Sequence, residues 1–304
     1  MNPLAFTISQ EQNVDTCHLA DLPLAEMLSL LNEHDARVPQ AISRVLPQVE
    51  QAVRLIVAQM KSGGRLFYVG AGTSGRLGVL DSAECPPTFG TDPDRVQSVI
   101  AGGLDAMLRA VENVEDDTEA SVAELRARGL NAQDVVLGIA ASGRTPFVMS
   151  ALDYARQIGA KTIALTTRGP GLISQQADVA VAPDVGAEAL AGSTRMKSGS
   201  AQKMLLGMIS TATMIQLGRV HGNLMIDVKA SNEKLLRRAE HMVAQICDVD
   251  NAEAQSLLRP VNYNVRAAVL SNLLNLSPQA ALALAAQPFV ALKDQLLSGA
   301  AHGQ

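Results

Sequence analysis

The sequence predicts an α/β fold built on a parallel sheet. Two observations carry this. Short runs of aromatic and β-branched residues alternate with stretches of helical period, the pattern of strand–helix–strand units. Two of the runs, Leu66-Phe67-Tyr68-Val69 and Val135-Val136-Leu137, lead directly into glycine-bearing turns. Such alternation implies a sheet covered by helices on both faces. Ligands in folds of this kind lie beyond the carboxyl ends of the strands.

In chain order, residues 1–20 are polar and mixed, with no period to hold them. Pro23 opens a helical run through Leu31, and Val38-Pro39 starts a longer helix to about Gln59, closed by Gly63-Gly64. Strand 66–69 is followed by a helix over 74–83, stopped by Pro86-Pro87. Strand 96–100, a helix over 104–128 and strand 135–139 come next. Then come a helix over 146–158, strand 162–165, strand 179–181 and a long helix over 194–217. Ser193 or Thr194 is placed to cap that last helix. After Asp248 the pattern becomes three short helices, 251–258, 262–274 and 277–297. The expected division is therefore an α/β domain with N-terminal helices over 1–248 and a small helical domain over 249–304.

Bulk properties exclude several classes. The 304 residues carry a formal charge of −5, and aromatic residues are 3% of the chain with no Trp. A nucleic-acid binder would need a basic face and stacking platforms. The stretch 21–62 mixes acids with its bases and offers no basic helix-turn-helix arm. No apolar run approaches the ~20 residues needed to span a bilayer, and no secretory leader is recognisable. Cys17, Cys85 and Cys247 are odd in number and widely spaced, which speaks against a disulfide framework and suits the cytoplasm. The five histidines show no metal-ligand spacing, so no metal site is expected.

The turn Gly70-Ala71-Gly72-Thr73-Ser74-Gly75-Arg76 fits the dinucleotide pattern G-x-G-x-x-G, but the following strand ends Ile100-Ala101-Gly102-Gly103 without the acidic residue that pattern requires. Its frame recurs in Gly138-Ile139-Ala140-Ala141-Ser142-Gly143-Arg144. Two hydroxyl-bearing loops side by side suggest a sugar-phosphate cradle, with Thr73, Ser74, Ser142 and Thr145 as donors beside backbone N–H groups. Gly192-Ser193-Thr194-Arg195 adds a third polar loop at the same end, or only a helix cap.

Two carboxylates stand out. In the expected 104–128 helix, Leu108, Val111, Thr118, Val122 and Leu125 form one stripe, and Glu115 interrupts it. A carboxylate on an inward face is either paired or used; desolvation would suit it to proton transfer. Glu84 closes the 74–83 helix beside Pro86-Pro87, where the helix dipole disfavours a negative charge. It is either an exposed helix-end acid or a functional one.

Together the twin loops and Gly192–Arg195 resemble the sugar isomerase (SIS) domain. Four stretches narrow the resemblance: Gly70–Gly78, Ser82-Ala83-Glu84-Cys85-Pro86-Pro87-Thr88, Ala110–Asp117 and Ala140–Pro146. Glu188–Lys203 and Gly222–Val228 extend it. Over nearly its whole length the chain is similar to the N-acetylmuramic acid 6-phosphate etherase family. The resemblance implies a parallel-sheet three-layer SIS domain with N-terminal helices and a small C-terminal three-helix domain. It implies cleavage of a lactyl ether, giving N-acetylglucosamine 6-phosphate and D-lactate, without metal or redox cofactor. Glu84 is then the general acid and Glu115 the general base. Ser142 and Thr145, with Thr73 or Ser74, would hold the phosphate, and Ser193 and Thr194 the sugar. A homodimer is implied as well. An aldose–ketose sugar-phosphate isomerase and a non-catalytic sensor of the glucokinase-regulator type are the alternatives on the same fold.

Overall fold

A computed structural model describes residues 12–302. The expected irregularity of residues 1–11 lies outside them. Residues 12–20 are tied down: Asn13 Nδ2 donates to Ala187 O at 3.1 Å and Thr16 Oγ1 to Ala189 O at 2.8 Å.

The chain forms two compact units, one comprising residues up to Ala83 with Asp94–Ser210, the other Glu84–Pro93 with the chain from Thr211 onward. The first opens with helices α1 (Leu24–Asp35), α2 (Arg37–Ser43) and α3 (Leu46–Lys61). A break at Arg44-Val45 divides what the sequence reads as one helix; Val45 lies outside helical geometry and Pro47 sits in the first turn of α3.

Five parallel strands follow: β1 (Leu66–Gly70), β2 (Val96–Ile100), β3 (Val135–Ile139), β4 (Lys161–Leu165) and β5 (Val179–Val181). Their order is β2-β1-β3-β4-β5. Register is set by pairs such as Leu66 with Val96 and with Val135. At the amino ends of the strands the buried Asp134 carboxylate accepts from Arg65 N at 2.8 Å and from Arg65 Nη2 at 2.7 Å, fixing β1 against β3.

Every residue of β1 and β3 is buried. On one face Phe67, Val69 and Val136 pack with Leu125 of α6 (Thr118–Ala127) and with Phe147, Val148 and Leu152 of α7 (Pro146–Gln157). On the other, α4 (Gly72–Phe89) comes close at Gly78, where an added Cβ would lie 3.0 Å from Tyr68 Cβ. The expected three-layer α/β arrangement is the one observed. Each large apolar side chain so buried contributes about 1.5–3 kcal/mol.

Three more helices differ from expectation, the simplest case being the expected 277–297 helix, which is two, Pro278–Ala285 and Leu292–His302, so that four helices rather than three follow residue 248. Helix α4 runs on to Phe89 with Pro86 and Pro87 inside it. The prolines remove the two N–H donors that would have reached Ser82 and Ala83 and crowd those carbonyls. Cys85 and Phe89, four apart and both buried, keep the last turn helical. The expected 104–128 helix is three pieces: α5 (Asp105–Leu108), a 3-10 turn at Val114–Asp116, and α6. Arg109 is extended, Asn113 is left-handed at φ 63°, and Asp117 caps α6 by accepting from Ala120 N at 2.9 Å. The short helix α8 (Leu172–Gln175) precedes β5, and α9 (Lys197–Gln216) follows it.

The second unit contains α10 (Glu233–Cys247), α11 (Asn251–Leu258), α12 (Val265–Leu273), α13 (Pro278–Ala285) and α14 (Leu292–His302). Helix α10 has no counterpart in the sequence reading. It buries Ala239, Met242 and Val243 in one core with Leu258, Val269 and Ala281. Helix α10 shares that core, and the second compact unit takes in the chain from Thr211 onward. The unit's polar centre is Arg266, 4% exposed, which donates to both oxygens of Asp227 at 2.8 and 2.9 Å.

Candidate active site

Strand order places a topological switch between β1 and β3, since the chain leaves β1 toward one edge of the sheet and β3 toward the other. The loops after these strands are the two Ser-Gly-Arg segments. They differ in conformation. After β1 the helix begins at once at Gly72, so Ser74 lies in the first turn of α4. Gly70 and Gly75 make this possible: a Cβ on Gly70 would lie 2.7 Å from Gly75 N. After β3 a turn intervenes and α7 starts only at Pro146. Gly143 has φ 68°, and a Cβ there would lie 2.7 Å from Gly171 Cα.

Ser74 is buried and its hydroxyl donates to Gln202 Oε1 of α9 at 3.0 Å. Thr73 and Ser142 are half-buried, and neither hydroxyl bonds to another described residue. Thr145 stands at the N-cap of α7 without a side-chain capping bond; its carbonyl accepts from Val148 N and Met149 N. The N–H groups in the first turn of α4, with the Thr73, Ser142 and Thr145 hydroxyls, form a donor-rich, anion-seeking surface.

The third loop is built otherwise than expected. Ser193 and Thr194 cap nothing with their side chains, and α9 begins at Lys197. Its first N–H groups are taken by the fully buried Glu188, whose carboxylate accepts from Lys197 N at 3.0 Å and Ser198 N at 2.9 Å. A negative charge suits that helix end, and it pre-empts the local Ser/Thr cap. Lys197, 2% exposed, donates from Nζ to Val185 O at 2.9 Å. Burial lowers its pKa, opposed by the Glu188 charge.

Neither glutamate has the setting the sequence suggested. Glu115 lies exposed in the 3-10 turn rather than on an inward helical stripe. The stripe does not exist: Leu108 is 87% exposed and Val111 40%. Glu84 is exposed within α4, not at its end, so the helix-dipole reasoning does not apply to it. Neither carboxylate bonds to another described residue. Glu115 belongs to the first compact unit and Glu84 to the second.

Sequence reasoning missed three contributors. Gln202 acts on Ser74, 128 residues away, and Glu188 on Lys197 and Ser198 across the loop before α9. Arg76 is the third: Nε donates to Met107 O at 3.3 Å and Nη2 to Arg109 O at 2.9 Å, so it tethers the segment leading to Glu115. Near Glu84, Asp81 accepts from Tyr68 Oη at 2.8 Å and Ser210 Oγ at 3.0 Å, locking α4 to β1 and α9. Burial raises the Asp81 pKa, partly offset by those two hydrogen bonds. Among the described residues no helix is long and apolar enough to cross a membrane.

Three family descriptions match parts of the chain: the glucokinase regulatory protein N-terminal SIS domain over residues 48–156, the SIS domain over 111–212, and the C-terminal lid domain of glucokinase regulatory protein over 222–288. Among solved structures, a phosphoheptose isomerase from Francisella tularensis superposes with a TM-score of 0.51 at 17% identity, covering 64% of this chain and all of that one. This supports the fold alone. Full-length similarity comes from bacterial proteins. The N-acetylmuramic acid 6-phosphate etherase of Pectobacterium atrosepticum is 48% identical, covering 97% of this chain and 98% of its own. That of Cronobacter sakazakii is 49% identical, covering 91% and 94%, and that of Yersinia pestis 50%, covering 91% and 94%.

Proposed function

Because the chain belongs to the N-acetylmuramic acid 6-phosphate etherase family, we propose that it is a carbon–oxygen lyase. It cleaves the D-lactyl ether of N-acetylmuramic acid 6-phosphate to N-acetylglucosamine 6-phosphate and D-lactate. The observation that carries this is the 48% identity over 97% of the chain and 98% of the relative. The setting is recovery of cell-wall amino sugar in the cytoplasm.

The chemistry asks for two carboxyl groups. In the open-chain sugar the C2 hydrogen is α to the C1 aldehyde, and the lactyl oxygen on C3 is a β leaving group. Glu115 removes the C2 proton, Glu84 protonates the departing lactate oxygen, and water adds to C3 of the unsaturated intermediate. Both carboxylates are exposed and uncommitted to other described residues, as groups that must meet a substrate need to be. Ser142 and Thr145 with Thr73 and Ser74 hold the phosphate; Ser193 and Thr194 contact the sugar. The uncommitted hydroxyls of Thr73, Ser142 and Thr145 support this. The enzyme works as a homodimer, a reading supported by the exposure of Leu104 (82%) and Leu108 (87%) close before Glu115.

Incubating the purified protein with N-acetylmuramic acid 6-phosphate and assaying D-lactate tests the reading. An isomerase or a sensor would release none. Glu115→Ala should lose both lactate release and exchange of the product C2 hydrogen in heavy water, by about a hundredfold or more. Glu84→Ala should lose lactate release and keep exchange. Near-normal rates in both variants would remove the two glutamates from the mechanism.

A further inference from the structure

The first turn of α4 meets α9 through Ser74 and Gln202. With Gln202 Oε1 facing Ser74, the serine donates its single proton to the amide at 3.0 Å. Gln202 is 1% exposed, and in this orientation its buried Nε2 has no partner among the described residues. Ser198 Oγ, one helical turn earlier on the same face of α9, is buried and unpartnered too. The approach is close: Gly199 has no side chain where a Cβ would lie 3.4 Å from Thr73 Cγ2.

A carboxamide has two orientations of almost the same shape, related by a half-turn. In the second, Nε2 donates to Ser74 Oγ across the same gap and Oε1 takes the position without a partner. The first orientation leaves both amide N–H groups unmet, the second one N–H and the carbonyl, and a carbonyl tolerates a missing partner better. The half-turn also frees the Ser74 proton. That matters because phosphate oxygens at neutral pH mainly accept, so a protein group must donate to hold them. A serine whose proton is committed to Gln202 cannot.

We infer that Gln202 is a positioning residue for the anion site: its amide donates to Ser74 Oγ and so turns the Ser74 proton toward the loop after β1. The inference rests on the reading of Ser74 as a phosphate contact. It assigns Ser74 and Gln202 to one donor relay, with Thr73 held beside them by the close passage of α9.

The test is calorimetric titration of inorganic phosphate and of N-acetylglucosamine 6-phosphate into the wild type and four variants, each checked for folding by its melting curve. Ser74→Ala and Gln202→Met should each weaken binding about tenfold. Gln202→Glu, which only accepts, should weaken it further by holding the Ser74 proton. In Ser74→Ala/Gln202→Met the second change should add nothing. A merely structural role for Gln202 would leave its effect intact without Ser74, and that result overturns the inference. Wild-type affinity in both Gln202 variants, with affinity lost in Ser74→Ala, overturns it too while the Ser74 reading stands. Wild-type affinity in Ser74→Ala overturns both. Should Gln202→Met fail to fold, Gln202→Glu against Ser74→Ala/Gln202→Glu gives the same cycle.

Discussion

Glu188→Ala attacks the start of α9, on which the third loop and the Ser74 contact both depend. The carboxylate is fully buried and accepts two helix-start N–H bonds, at 3.0 and 2.9 Å, with the buried Lys197 charge beside it. Truncation leaves two orphan donors and an ammonium without its compensating charge. Losing two hydrogen bonds to a buried charged acceptor costs about 3–5 kcal/mol. For a chain of this length that is a fall in Tm of about 5–8 °C. Glu188→Gln keeps one acceptor oxygen and should lose roughly half as much. Glu188→Ala/Lys197→Met removes both charges and should be more stable than the sum of the single variants by about 1 kcal/mol. Urea midpoints and thermal scans on the three variants supply the numbers. A loss under about 1 kcal/mol in Glu188→Ala, or strict additivity in the double variant, would refute the reasoning.

Three further outcomes are expected. Arg76→Ala releases the Met107 and Arg109 carbonyls, so C2-hydrogen exchange should fall while phosphate affinity, titrated calorimetrically, holds; unchanged exchange would show that the tether does not matter to Glu115. Asp117→Ala removes the cap of α6 and should cost about 1 kcal/mol, read from the urea midpoint. For Asp81, burial raises the folded-state pKa above the ordinary carboxylate value. Its contribution to stability is therefore full below the unfolded value of 3.8 and lost as pH rises through the raised one. Asp81→Asn should gain on the wild type as pH climbs from about 4 to about 7, and urea midpoints that track in parallel across that range would contradict it.

The strands were legible because each is a short apolar run bounded by turn residues, and β1 and β3, buried along their whole length, leave no other use for such a run. The site was legible as loops and types of residue, not as conformations. The helical runs from 74 and from 146 already set Ser74 inside a helix and Ser142 before one; that the first helix starts at Gly72 and runs on to Phe89 was not read. Around Glu115 the apolar spacing was real, but Asn113 in the left-handed region and the Asp117 cap override it. The cap signal was local and could have been read. The same holds for α10, whose Ala239, Met242 and Val243 fall at helical spacing. Gln202 could not have been read this way, because only the fold brings it near Ser74, and Glu188 reaches α9 across a loop with no local capping pattern. Periodicity and the helix dipole singled out the two glutamates on helices the fold does not form as expected, and only the family resemblance assigned their roles.

The second compact unit is discontinuous in sequence, and this bears on how the gene can be cut. Residues 84–93 belong to the same unit as the chain from Thr211 onward. Within that unit a Cβ on Gly90 would lie 2.3 Å from Asp227 O, so the short segment is seated tightly there. No single break point separates the two units. A fragment beginning at Thr211 lacks the piece that fits against Asp227, and one ending at Ser210 carries that piece without its unit. Domain exchange between relatives would therefore have to transfer two segments at once, so inheritance of the chain as a whole is the simpler route. Fragment complementation at the Ser210 boundary, with and without residues 84–93 supplied to the C-terminal piece, measures how far that piece needs its short segment to fold.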